Sequence, residues 1–232
     1  MLNPNLDVSE MFVERQAQRS SMHSLHLNEQ LVRVLKTIGY DVGFQKGQGQ
    51  YLYDRDGVRY LDLLSGFGVF AIGRNHPALR TALKSVLDSD LPNLVQLDVS
   101  TLAGVLAERL LEYVPYLDKV FFANSGAETV EGAIKFARSA TGRPGIVHCS
   151  HAYHGLTYGA LSLTDDANFR GGFEPLLPGC TAVPFNDLAA LEHALSSREI
   201  AARSLNGTAV HPGNSGSKPP RKFASSVSES AP

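Results

Sequence analysis

The chain has 232 residues, 43% of them hydrophobic and 19% charged, a balance that suits a globular protein with one sizeable core, or one domain and part of a second. A formal net charge of −2 provides no general attraction to nucleic acid or to an anionic membrane surface, and no apolar stretch approaches the roughly 20 residues that span a bilayer. Two cysteines, Cys149 and Cys180, are too few for a disulfide framework, and the start Met1-Leu2-Asn3-Pro4 lacks the basic and apolar regions of a signal peptide, so the expectation is a cytoplasmic protein with reduced thiols and a small-molecule partner.

Residues 1–26 are polar and weakly patterned. Leu27, Leu31, Val34, Leu35 and Ile38 then recur at helical spacing ahead of Gly39, which predicts a short amphipathic helix with a glycine stop. The runs 51–55 and 58–63 flank Asp56-Gly57, a dipeptide that favours a type I′ turn, and read as a β-hairpin. After the glycine-rich Ser65-Gly66-Phe67-Gly68, Asn75-His76-Pro77 opens a helix with Leu79, Leu83, Val86 and Leu87 on one face. A further helix is predicted from about Ser100 to Tyr113, with Leu102, Val105, Leu106 and Leu110 inward.

From Val120 onward strands and helices alternate: a strand over 120–123, a helix from Ala127, a strand over 145–149, a helix near 156–161, a strand over 181–185, and a helix over 188–195. This alternation predicts an α/β architecture, a mostly parallel sheet with crossover helices on its faces. Ligands of such sheets bind beyond the carboxyl ends of the strands, where Asn124-Ser125-Gly126 and 150–154 both fall. Gly126 stands where a helix begins, so unpaired amides and the positive end of the helix dipole can receive a phosphate, and the missing side chain lets it approach. Ser125-Gly126-Ala127-Glu128 also fits a capping box, in which Ser and Glu satisfy the orphan amides themselves. Tyr153-His154 arrives on the next loop, an aromatic suited to cover a flat ring.

Beyond about Ala202 the pattern stops: Ser, Gly and Pro make up 14 of the 30 residues of 203–232, which predicts a disordered tail. The break follows Glu199-Ile200-Ala201-Ala202, which reads as the opening of another strand, and a frameshift or rearrangement near codon 203 is its expected origin. The predicted organisation is an N-terminal helix and hairpin segment over 1–75, a partial large domain over 76–202, and the tail over 203–232.

Four motifs, in order and with similar spacing, resemble those of the class III pyridoxal-phosphate aminotransferases, the family of the ornithine, acetylornithine, 4-aminobutyrate and putrescine aminotransferases. They are Tyr53-Asp54-Arg55-Asp56-Gly57-Val58-Arg59-Tyr60-Leu61-Asp62, Gly73-Arg74-Asn75-His76-Pro77, Phe122-Ala123-Asn124-Ser125-Gly126-Ala127-Glu128 and Tyr153-His154-Gly155, and the resemblance runs from about Gly39 to Ala202. It implies an incomplete fold-type-I transferase domain and pyridoxal 5′-phosphate as cofactor, with its phosphate on Ser125, Gly126 and Ala127. It also implies that Tyr153 stacks on the pyridine ring with His154 beside it. The implied reaction is transfer of an amino group from an amine or amino acid to a 2-oxo acid, by a homodimer in the full-length family.

Two departures qualify that implication. Leu156 stands where ornithine- and acetylornithine-type members place an arginine for a substrate carboxylate, which tilts the donor toward ω-amines or diamines such as putrescine. None of Lys36, Lys46, Lys84, Lys119, Lys135, Lys218 and Lys222 stands in the context of the family's Schiff-base lysine, so the chain is expected to be inactive alone. The competing reading is a non-catalytic remnant that binds a phosphate ligand or a full-length homologue. His148, Cys149, His151 and His154 cluster in sequence, but strand alternation separates the first two and no distant ligand pair completes a tetrahedron, so no metal site is expected. Gly47-Gln48-Gly49-Gln50 lacks the third glycine of a dinucleotide fingerprint and precedes a strand, and Asp165-Asp166 reads as a solvated turn.

Overall fold

The structure is a computed structural model, and it describes residues 7–92, 95–197 and 199–204. The expected tail therefore lies outside the described residues, apart from Arg203 and Ser204. Two compact units divide at residue 99, which places the helix after His76-Pro77 with the N-terminal unit.

The N-terminal unit begins with helices that the sequence pattern did not reveal, α1 (Val8–Arg15) and α2 (Arg19–His26), joined by a 3-10 turn over Gln16–Gln18. A local cap starts α1, since Asp7 accepts from the amides of Ser9 and Glu10. Helix α3 (Glu29–Thr37) has Asn28 as its N-cap, and Gly39 turns left-handed just beyond its end. A three-stranded antiparallel sheet comes next, in the order β1 (Phe44–Gln48), β2 (Tyr51–Asp54) and β3 (Arg59–Leu61). Strand β1 was hidden in the sequence by its glycine and glutamines. The β2–β3 connection is longer than the expected two-residue turn: the Asp54 carbonyl accepts from Gly57 N, and the Asp54 carboxylate accepts from the amides of Asp56 and Val58. Only Gly57 takes positive φ there, whereas a type I′ turn requires it at both central residues. Helix α4 (Pro77–Leu87) begins on its proline as predicted.

The second unit opens with α5 (Thr101–Tyr113), capped by Ser100, but Leu102, Val105, Leu106 and Leu110 are exposed rather than inward. The stretch 120–123 forms no strand, because it finds no ladder partner among the described residues. Instead Phe121 packs edge-on to Phe136 of α6 (Gly126–Thr141). Helix α6 runs from the Ser125 cap to left-handed Gly142.

Beyond Gly142 the α/β expectation holds. Strands β4 (Gly145–Cys149), β5 (Cys180–Val183) and β6 (Ile200–Ser204) form a parallel sheet in the order β5-β4-β6. Between them lie α7 (Tyr158–Leu163), α8 (Ala167–Arg170) and α9 (Leu188–Leu195). Every residue of β4 is buried, because both its faces are covered. Ile146 packs with Ile134 of α6 and Leu163 of α7 on one face, and Val147 with Val183 and Leu191 of α9 on the other. Each fully buried side chain of this size contributes about 1.5–3 kcal/mol, which makes β4 the fixed reference for the loop that leaves its carboxyl end.

Candidate functional site

The turn before α6 forms the capping box expected of Ser125-Gly126-Ala127-Glu128. Ser125 Oγ accepts from the Glu128 amide at 3.2 Å, and the Glu128 carboxylate reaches back to the Asn124 amide at 2.6 Å. The cap therefore occupies the amides that flank the turn, while among the described residues no acceptor takes those of Gly126 and Ala127. A Cβ built on Gly126 would meet nothing within 4 Å, so the helix end faces open space. Because Ser125 Oγ only accepts within the cap, its proton is available to a ligand. Two amides, one hydroxyl and the positive end of a helix dipole are the groups this turn exposes.

The second segment leaves the end of β4 and meets this turn directly. Gly155 has φ +119°, and a Cβ there would lie 2.6 Å from Ala127 Cβ and 3.0 Å from Ala127 Cα. Only glycine permits both that backbone conformation and that approach. The loop is fixed beneath by Thr164, whose hydroxyl accepts from the His154 amide at 2.9 Å and donates to the Gly155 carbonyl at 3.0 Å. Tyr153 is 41% exposed and makes a T-shaped contact with Phe169 at 5.5 Å.

His154 points the other way. It is only 5% exposed, packs edge-on against His148 at a centroid distance of 6.5 Å, and neither ring nitrogen has a hydrogen-bond partner among the described residues. Burial, reinforced by His148, pushes its pKa below the usual histidine value, and burial likewise depresses His148. The pair is thus neutral interior packing under the loop. Cys149 is buried beside it with its thiol pKa raised by burial, and among the described residues no three His, Cys, Asp or Glu groups converge as a metal site. Asp165 and Asp166 act locally: Asp165 accepts from His151 N, and Asp166 caps α8.

Sequence reasoning missed the residues that hold the two segments together. Glu131 of α6 accepts from Thr157 and from the first amides of α7, while Thr164 anchors the loop from beneath. The signal for both was weak, since an acid in a helix and a threonine after one are common surface features. Two clefts lie in the N-terminal unit instead, one bounded by Lys46, Phe70, Arg74 and Asn75, the other by Asp62, Ser65 and Gly73. Arg74 there pairs with Asp62 at 2.8 Å and lies over Phe70, so its charge is already engaged by the fold.

Comparison with known proteins agrees with the geometry: residues 37–211 match the family described as aminotransferase class-III. The chain belongs to this family. This class-III aminotransferase chain is 40% identical over 161 residues to acetylornithine aminotransferase of Bacillus anthracis, a match covering 69% of the chain and 41% of that protein. It is 39% identical over 178 residues to aminotransferase PigE of a Serratia species, covering 76% of the chain and 21% of PigE. Among solved structures, taurine:2-oxoglutarate aminotransferase of Bifidobacterium kashiwanohense, determined with PLP and glutamate, superposes with a TM-score of 0.69 at 26% identity. That superposition covers 82% of this chain and 47% of the other. Ornithine aminotransferase of Toxoplasma gondii gives 0.67 at 25% identity over 81% of this chain and 47% of its own. The class-III chain thus spans less than half the length of these relatives. The family match also extends past the sequence break expected at 203, and β6 includes Arg203 and Ser204.

Proposed function

We propose that this chain carries the phosphate- and ring-binding part of a pyridoxal 5′-phosphate aminotransferase site. The observation that carries the reading is the juxtaposition of the Gly126 and Ala127 amides, unoccupied among the described residues, with the Tyr153–Gly155 loop, set by the Gly155–Ala127 approach. Ser125, Gly126 and Ala127 would hold the phosphate, and Tyr153 would lie against the pyridine ring. His154, being buried, supports the loop from within rather than touching the ring face. When bound, the cofactor supplies an electron sink for moving an amino group from an amine or amino acid to a 2-oxo acid. The chain's own residues bind and orient, and Leu156, exposed beside Gly155, offers no cation to a substrate carboxylate, which favours an ω-amine or diamine donor.

Covalent attachment of the cofactor is a different matter. Lys135 lies nine residues along α6 from Gly126, about 13 Å at the helical rise, so it is out of reach of a ring seated at the helix start. We infer that these residues bind and orient the cofactor within a homodimer, and that its covalent attachment calls on a lysine other than Lys135.

Gly126→Asp tests the site. The fold has room for the new side chain, and an acid near a helix start is favourable by about 0.3–1 kcal/mol, so melting should hardly change. The carboxylate would occupy the phosphate position, and loss of even one charge-assisted hydrogen bond, about 1.5–3 kcal/mol, weakens binding roughly tenfold or more. Pyridoxine 5′-phosphate is the suitable probe, because without an aldehyde it cannot be captured by surface lysines. Affinity within twofold of the parent would reduce Ser125-Gly126-Ala127 to a helix cap.

A further inference from the structure

Glu131 lies in the second turn of α6, and its carboxylate faces the neighbouring helix rather than its own. Oε1 accepts from Thr157 Oγ1 at 2.6 Å, from Gly159 N at 2.8 Å and from Ala160 N at 3.2 Å. Thr157 is the N-cap position of α7 but makes no side-chain cap of its own, so Glu131 supplies the acceptor that the orphan amides need, together with negative charge at the positive end of the helix. Gly159 is matched to it: a Cβ at that position would overlap the Glu131 carboxylate. The segment from Tyr153 to Ala160 is therefore held at one end by Thr164 and at the other by Glu131, with the Gly155–Ala127 contact between.

We propose that Glu131 is a positioning residue, which pins the start of α7 and through it the Tyr153–His154–Gly155 loop against the N-terminal turn of α6. It thereby sets the gap between the Gly126 and Ala127 amides and the Tyr153 ring. The functional part of this assignment rests on the phosphate site proposed above. A carboxylate serving only local helix capping would leave ligand affinity untouched when removed.

The test compares Glu131→Ala, Glu131→Gln and Thr157→Ala in the full chain by amide hydrogen exchange over 153–161 and by equilibrium dialysis of pyridoxine 5′-phosphate against pyridoxine. Glu131→Ala is expected to speed exchange in that segment about tenfold and to weaken the phosphorylated ligand about fivefold or more, since three hydrogen bonds are lost. Glu131→Gln keeps a carbonyl oxygen where Oε1 stands and should restore both readouts to within about threefold of the parent. Thr157→Ala removes one bond of the three and should give a smaller change in the same direction, which keeps the test decisive if Glu131→Ala does not fold. Unchanged exchange in Glu131→Ala overturns the clamp. Faster exchange with affinity within twofold of the parent makes Glu131 merely structural and overturns its positioning role. If instead the parent holds pyridoxine 5′-phosphate no better than pyridoxine while exchange still rises in Glu131→Ala, the phosphate site has failed and the positioning role falls with it, a pattern distinct from failure of the clamp.

Discussion

Replacing Gly155 by alanine should separate this chain's site geometry from its general stability. At φ +119° an L-residue is strained, and such a conformation costs about 1–3 kcal/mol. The added methyl would also sit 2.6 Å from Ala127 Cβ and 3.3 Å from Ala160 Cβ, and relieving overpacking of that kind costs a further 1–3 kcal/mol or so. Part of both costs is avoided if the loop lifts away from α6, so a net loss of about 2–4 kcal/mol is expected, with the Tyr153 ring displaced from the phosphate turn. Gly126→Ala is the control, because its Cβ meets nothing within 4 Å and its φ is unremarkable. Helix propensity makes that change neutral to about 1 kcal/mol stabilising. Urea unfolding of the two variants beside the parent, with the slope checked for constancy, gives both numbers. The close approach of the two segments is refuted if Gly155→Ala falls within about 0.5 kcal/mol of the parent, the range of an ordinary surface change.

Three further outcomes rest on the same contacts. Ser125→Ala removes the N-cap of α6 and should cost about 1 kcal/mol of stability, measured by urea midpoint, while also weakening pyridoxine 5′-phosphate; stability loss without affinity loss would confine Ser125 to capping. His148 and His154 are held neutral by burial, so their folded pKa values lie below the unfolded one and the unfolded chain binds more protons in that window. Stability is then complete above the unfolded value of about 6.5 and declines as pH falls through it, so the urea midpoint should drop between about pH 7.5 and 5.5, and His154→Phe should flatten that slope. Borohydride reduction of the chain mixed with pyridoxal 5′-phosphate should leave Lys135 without stoichiometric label; quantitative labelling of Lys135 would refute its separation from the ring.

The parallel sheet was legible because β4 reads as a largely apolar run, and because the Ser125 cap and the alternation of strand and helix patterns could be followed along the chain. The hairpin was legible in Asp56-Gly57, but its loop length was not, since the Asp54 carboxylate decides it by taking two amides. The stretch 120–123 has the composition of a strand, yet a strand exists only through its neighbour, and composition does not say whether one is at hand. Similarly, apolar spacing on α5 showed an amphipathic helix without showing what its apolar face meets. Chain order placed Gly126 at a helix start and Tyr153 on the loop after β4, whereas the orientation of His154 was not legible. Neighbours on one loop point to opposite sides, and the partner that draws His154 inward, His148, sits on a strand.

One ligand should touch both the start of α6 and the loop after β4. Amide and side-chain chemical shifts of the isotope-labelled chain, followed while pyridoxine 5′-phosphate is added, test this directly. The Gly126 and Ala127 amides and the Tyr153 ring should shift together along one saturable curve, and pyridoxine without the phosphate should leave the two amides unmoved. Shifts confined to the cleft around Lys46 and Arg74, or equal responses to the two compounds, would contradict it.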